Sequence, residues 1–342
     1  IEGESGVGKT RLLGEAVADA RWRGMTVLWG GSAPSGGHPF GPIAEALETG
    51  LGGLHGQRLA GQLEPMWRDQ LAPLIPGISS TPPQDEVPLP QAEERERMLE
   101  AIALGFEGLS RLNPTFVVLE DVHWADEETN AALHYLAGRI ADHPILLALS
   151  YRHGEARERS EIWGLLRAID RHPHSERISL SPCSPAQTEE LIRRSLGVPE
   201  VSAEFSERVH RETGGIPLFV IETLRALHER DDLQGDTADE APAGLPITPT
   251  VHRLIETRLE GLSPDTHRTL DLVSVHEGRL QLAEIVDAAP GDDLTVLEAV
   301  DDLVRRRLLT ETDGSFGIGH ELMRRVVYDG LTASDRLDLH RR

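Results

Sequence analysis

The reading of the fold turns on residues 1–10, Ile1-Glu2-Gly3-Glu4-Ser5-Gly6-Val7-Gly8-Lys9-Thr10. Gly3 to Thr10 fits the spacing G-x-x-x-x-G-K-[ST]. Glycines at 3, 6 and 8 let the backbone curl until successive N–H groups point at one phosphate. The helix that follows adds the positive end of its dipole. Lys9 supplies a point charge for the β and γ oxygens, and Thr10 offers a hydroxyl to Mg²⁺. The plain alternative is a glycine-rich turn before an ordinary helix. A helical pattern does follow, and Ile1 fits the tail of a strand, so the phosphate loop is the better reading.

Outward from the loop, Lys9 to Arg23 reads as a helix with Leu12, Leu13, Ala16 and Ala20 on one face. Met25 to Gly30 is a short strand. A Gly/Pro-rich connection leads to a helix from about Ile43, and Pro76 to Pro90 reads as a surface loop. A charged amphipathic helix covers Gln91 to Leu112. "TFVVLEDV" and "PILLALSY" are continuous apolar runs expected to be strands buried on both faces of a parallel sheet, with Arg177 to Ser181 a weaker third. Strands alternating with helices predict a doubly wound α/β domain.

Near Pro182 the pattern turns helical, with Ser184 as N-cap and Pro185 at the first helical position. Glu229 to Pro249 is acidic and Gly/Pro-rich, and reads as a linker. Helices are expected near Thr250–Glu260, Pro264–Val275, Leu280–Ala288 and Leu294–Arg306. Two short strands then flank a turn at Asp313-Gly314, and a last helix starts near Glu321. Helices followed by a small hairpin predict a winged helix.

The second chemical element is "TFVVLEDVHWADEET", an apolar strand that emerges in Glu120 and Asp121. Buried strands carry carboxylates where they end, at the edge where ligands bind. One can hold hydrated Mg²⁺ and the other polarise a water. Neighbouring strand residues face opposite sides, so the two are expected to divide these roles. An apolar-then-acidic run alone is often just a strand end; beside the loop it reads as a Walker B element. Arg152, at the end of "LLALSYR", could reach a γ-phosphate, although alone it would read as a solvated arginine.

Other signals fail. "HELMR" has Arg324 where a second zinc-binding His would stand. His172 and His174 lack a third ligand. Val7 breaks any G-x-S-x-G nucleophile motif. Trp22, Trp29 and Trp163 are expected in core or partly buried packing, and Arg305 to Arg307 at an exposed helix end.

Composition sets the frame. The chain has 342 residues, enough for two or three domains, and 39% apolar content. Aromatics make up 4%, so the cores are expected to be aliphatic. A net charge of -23 repels nucleic-acid backbones. The lone Cys183 excludes an internal disulfide and fits a reducing cytosol, so a cytoplasmic location is expected. There is no apolar run of about 18 residues to span a membrane, and no signal peptide. Without an initiator Met, and beginning within a motif, the chain is expected to be a piece of a longer protein.

These motifs together resemble the STAND class of P-loop ATPases, a signal-transduction branch near AAA+. Within it they are most similar to the ATPase module of bacterial LuxR-type large ATP-binding transcription regulators. The likeness rests on "GESGVGKT", "VVLEDVHWAD", "LLALSYR", "TGGIPLFVIETLRAL" and "FGIGHELMRRVVYDGL". It implies a nucleotide-binding domain over 1–182, a helical lid with a G-x-P motif over 183–230, a linker over 231–248 and a winged helix over 249–342. It implies ATP or ADP with Mg²⁺, contacted by Gly3, Gly6, Val7, Gly8, Lys9, Thr10 and Arg11. Pro217 would pack on adenine and His320 would touch the β-phosphate. Lys9, Glu120, Asp121 and Arg152 would serve hydrolysis, with Thr10, Asp121 and Glu120 around the metal.

The expected behaviour is a slow ATPase acting as a switch: closed on ADP, self-associating with ATP, and answering an inducer or regulatory protein. DNA would be bound only through a domain outside this sequence. Two departures stand out: Glu120 occupies the usual Asp position, and Ile216 the usual Asn. The same module also occurs fused to nucleotide cyclases or protein kinases. An origin-recognition-like DNA binder is a further alternative, opposed by the charge.

Overall fold

The computed structural model describes residues 1–33, 38–50, 61, 63–75, 78, 90–230, 245–276 and 278–341. Most of the expected loop at 76–90 and of the linker at 231–248 lies outside these residues. The chain forms two compact units. One comprises Ile1–Glu4 and Gly8–Leu180, and the other Ser5–Val7 and Ser181–Arg342.

The first unit is built on three parallel strands in the order β1 (Thr26–Gly31), β2 (Thr115–Glu120), β3 (Ile145–Leu149). Parallel bridges extend this row from Tyr151 to Glu2 and from Glu2 to Ser179. The Glu2 N–H donates to the Ile178 carbonyl at 2.8 Å, and the Leu180 N–H to the Glu2 carbonyl at 2.8 Å. The stub before the loop therefore sits in the sheet beyond β3. Arg177 to Ser181, expected as a weak strand, contributes this single bridge.

β2 is buried on both faces for a simple reason of alternation. Phe116 and Val118 pack with Leu13, Val17 and Ala20 of the helix Lys9–Trp22. Val117 and Leu119 join a larger core with Ile102, Phe106 and Leu109 of the helix Gln91–Leu112. Each such side chain contributes about 1.5–3 kcal/mol on burial. β3 corrects the expectation of burial on both faces: Leu146 is 57% exposed. Trp22 is a second correction, being 85% exposed at the end of its helix. The cores are also less purely aliphatic than composition implied, because all six Phe residues are buried.

The second unit is mainly helical. Its first helix, Pro185–Leu196, starts with a capping box in which Ser184 and Gln187 satisfy each other's backbone N–H groups. The helix Pro217–Glu229 divides its faces between two cores. Val220, Leu224 and Leu227 meet Ile192, Phe205 and Val209, while Phe219 joins Val251, Leu270 and Leu322. A small antiparallel sheet follows, ordered β4 (Leu280–Gln281), β6 (Ser315–Ile318), β5 (Leu309–Thr312). Its hairpin turns at Asp313 and Gly314, where sequence placed it, with φ of 50° and 75°. Two further helices, Glu321–Gly330 and Ala333–Leu339, follow the hairpin.

Candidate nucleotide site

The loop leaves the sheet at Gly3 and enters its helix through Gly8. Gly6 and Gly8 have φ of 83° and 104°, values open to glycine and strained for other residues. Gly8 is the N-cap and no side chain caps the helix. The first-turn N–H groups, which have no intrahelical acceptor, can therefore take an anion. Lys9 is 8% exposed, and its Nζ donates to the carbonyls of Gly3 at 2.9 Å and Glu4 at 3.1 Å. Burial lowers its pKa, and Asp121 is the strongest group opposing that shift. Thr10 and Arg11 are exposed on the first turn.

The carboxylates do not lie as strand alternation predicted. β2 ends at Glu120, and Asp121 turns into the left-handed region at φ 51°, ψ 42°. Its N–H donates to Ser150 Oγ at 3.0 Å, and the next N–H, of Val122, to the Ser150 carbonyl at 2.9 Å. This turn, rather than the pleat, sets where Asp121 points, and its charge bears on Lys9.

The residues after it are held from several directions. His123 is fully buried. Arg159 donates to the carbonyls of His123 at 2.6 Å and Ala125 at 3.0 Å. Asp126 caps the helix Glu127–Arg139 by accepting from the Thr129 N–H at 2.9 Å. "HWAD" is thus a rigid turn behind the carboxylates.

Arg152 follows β3, but not as a free solvated cation. Its Nη1 donates to Glu155 Oε1 at 2.6 Å, and its guanidinium carbon lies 4.8 Å from the Trp124 ring centroid. Burial would raise the Glu155 pKa, yet His123 and Arg152 outweigh it and bring it to about 2. Sequence reasoning missed Glu155, Arg159 and Glu2. Glu2 lies 2.9 Å from the Tyr151 hydroxyl that donates to it and 3.0 Å from His153 Nδ1. No local pattern marks a carboxylate whose partners lie some 150 residues away.

In the second unit, Gly214 and Gly215 make a left-handed turn ahead of Ile216 and Pro217. A Cβ on Gly215 would meet the Cys183 carbonyl at 2.2 Å, so only glycine fits. Pro217 takes the first position of its helix, where a missing N–H costs nothing. The Leu218 N–H donates to the Gly6 carbonyl at 3.2 Å, tying the loop tip Ser5–Val7 into this unit.

His320 is the N-cap of the helix Glu321–Gly330, its Nδ1 accepting from the Met323 N–H at 3.1 Å. It is 6% exposed and edge-on to Phe219 at 5.2 Å. Burial first, then Arg258, lowers its pKa to about 3. The ring is therefore neutral with the proton on Nε2, which is buried and has no partner among the described residues.

No group of three or more His, Cys, Asp or Glu forms a metal cluster among the described residues. Mg²⁺ needs no such cluster, because one or two carboxylates hold it together with substrate phosphates. Thr10, Asp121 and Glu120 are the residues that could serve it, and the metal would neutralise phosphate charge.

Residues 1–148, which carry the loop and most of the parallel sheet, match the AAA ATPase domain family. Residues 184–234 match a domain of unknown function (DUF8739). The chain is 24% identical over 364 residues to an uncharacterised protein of Rhizobium meliloti (strain 1021), matching all of this chain and 34% of that protein. It thus spans about a third of that relative's length. A Walker-type ATPase of Pyrococcus abyssi has a similar fold, with a TM-score of 0.52 at 14% identity over 95% of this chain and 89% of the other. A STAND protein with a tetratricopeptide repeat sensor, from Pyrococcus horikoshii, aligns at a TM-score of 0.30 and 14% identity over 94% of this chain and 43% of the other. No described helix is long and apolar enough to cross a membrane.

Proposed function

We propose that the chain is the switch module of a signal-transduction protein, a slow ATPase that holds ADP in its resting state. The favoured whole protein is a LuxR-type transcription regulator, with DNA bound by a domain outside this sequence. In this reading 1–182 binds nucleotide, 183–230 is the lid, 231–248 the linker and 249–342 a winged helix. The loop Gly3–Thr10, with Arg11, cradles the phosphates. Lys9 bonds the β and γ oxygens, and Thr10 and Asp121 hold Mg²⁺. Glu120 orients the attacking water, Arg152 faces the γ-phosphate, and Pro217 packs on adenine.

The observation that carries a switch over a motor is His320. A buried, neutral imidazole whose N–H has no partner among the described residues is free to donate to an acceptor that a ligand brings. The ADP β-phosphate is the acceptor we propose. His320 belongs to the same unit as the loop tip Ser5–Val7 and Pro217. A latch of this kind makes ADP release, not bond cleavage, the slow step.

The test compares a single turnover with steady state in the full-length protein. A switch hydrolyses one equivalent of ATP and then stalls with ADP retained. Continuous turnover with free exchange of ADP, in the absence of any effector, would count against the switch.

A further inference from the structure

One cluster beside the loop has no part in the reading above: Trp124, Glu155 and the buried His123 around the Arg152 guanidinium. Arg152, the N-cap residue of the short helix His153–Glu158, has a side-chain exposure of only 13%. It is held on two sides. Glu155 accepts from Nη1 at 2.6 Å, and Trp124 lies beneath the guanidinium carbon at 4.8 Å.

Glu155 also meets His123. The Arg152 backbone N–H donates to His123 Nδ1 at 3.4 Å, which leaves the His123 proton on Nε2. Nε2 lies 3.2 Å from Glu155 Oε2, a contact at charge-pair distance that lacks hydrogen-bond alignment. His123 cannot drift, because it is fully buried and Arg159 grips its carbonyl. Arg152 directly follows Tyr151, whose carbonyl accepts from the Gly3 N–H of the phosphate loop at 3.3 Å, and its charge acts on Lys9.

We infer that Glu155 and Trp124 are positioning residues for Arg152, fixing its guanidinium in the orientation that meets the γ-phosphate. This rests on the proposal that Arg152 faces that phosphate. A free surface arginine samples many rotamers, and a fixed one has its ordering cost met before substrate binds. The carboxylate takes one edge of the planar fork and leaves the rest of its donors for an anion. A purely structural role is the rival: Glu155 lies in the first turn of the helix His153–Glu158, where a carboxylate favours the dipole.

The experiment is a double-mutant cycle on single-turnover ATP hydrolysis in the full-length protein, using Arg152→Ala, Glu155→Gln and both together. Melting curves and ATP affinity are measured alongside. Positioning predicts that Glu155→Gln slows hydrolysis about a hundredfold while ATP affinity stays within about threefold. The double variant should be no slower than Arg152→Ala alone. Trp124→Leu, which keeps the carboxylate, should give a smaller loss that also vanishes in the Arg152→Ala background.

Lower melting temperature with unchanged hydrolysis in Glu155→Gln would overturn the inference. So would losses that multiply. An Arg152→Ala protein that hydrolyses normally overturns the role of Arg152 and the clamp with it. Wild-type protein that binds no ATP instead refutes the nucleotide reading itself.

Discussion

Mild acid should loosen the second unit through one residue, His320. Its pKa is lowered from 6.5 to about 3 by burial and by Arg258. The unfolded chain takes up a proton near pH 6.5 that the folded chain refuses. Stability from the neutral ring is therefore complete above 6.5 and is lost progressively as pH falls towards about 3. At about pH 5 the loss is about 1.5 pH units at 1.36 kcal/mol each, or about 2 kcal/mol.

His320→Asn isolates the effect. Asparagine keeps an N-cap acceptor for Met323 but does not titrate. Tryptophan fluorescence cannot follow this, because all five Trp residues lie in the first unit. Hydrogen exchange of the helix Glu321–Gly330 can. Between neutral pH and about pH 5, wild-type protection should fall about 30-fold more than that of the variant at matched pH. His210, whose pKa burial also lowers, titrates in both proteins and cancels. Parallel losses in the two proteins would refute the argument.

Further outcomes follow from the loop and its neighbours. Lys9→Ala removes the buried ammonium of the loop and should abolish ATP and ADP binding in calorimetry; affinity within about threefold of wild type would sink the assignment. Asp121→Asn should slow single-turnover hydrolysis more than Glu120→Gln, because it is Asp121 whose charge bears on Lys9; the reverse order would move the metal to Glu120. Gly215→Ala places a methyl 2.2 Å from the Cys183 carbonyl at φ 68° and should cost about 3 kcal/mol or more, read as lost exchange protection in the helix Pro217–Glu229.

What sequence revealed was local. The loop, the run Phe116–Leu119, the helix Gln91–Leu112, the Ser184 cap and the Asp313-Gly314 turn each carry their reason within a few neighbouring residues. Asp121 escaped because a strand reading extends alternation one residue too far, into a left-handed turn held by Ser150. Trp22 misled because aromatic character implies burial, while its place in the helix leaves it outward. The partners of Glu2, and the Glu155–His123 contact, come from chain segments brought together only by the sheet. The clamp on Arg152 is nearly local, three residues on, but nothing in "RHGE" separates an oriented arginine from a solvated pair.

The central claim is that His320 latches bound ADP, and its most direct test is the release rate of a fluorescent ADP analogue by stopped flow. Full-length wild type and His320→Asn are compared at neutral pH, where the variant keeps its cap and its exchange protection is checked first. A charge-assisted hydrogen bond lost from the bound state is worth about 1.5–3 kcal/mol, so release should quicken by about tenfold to over a hundredfold. Unchanged release from an equally protected variant would contradict the latch, and would leave His320 as a helix cap and nothing more.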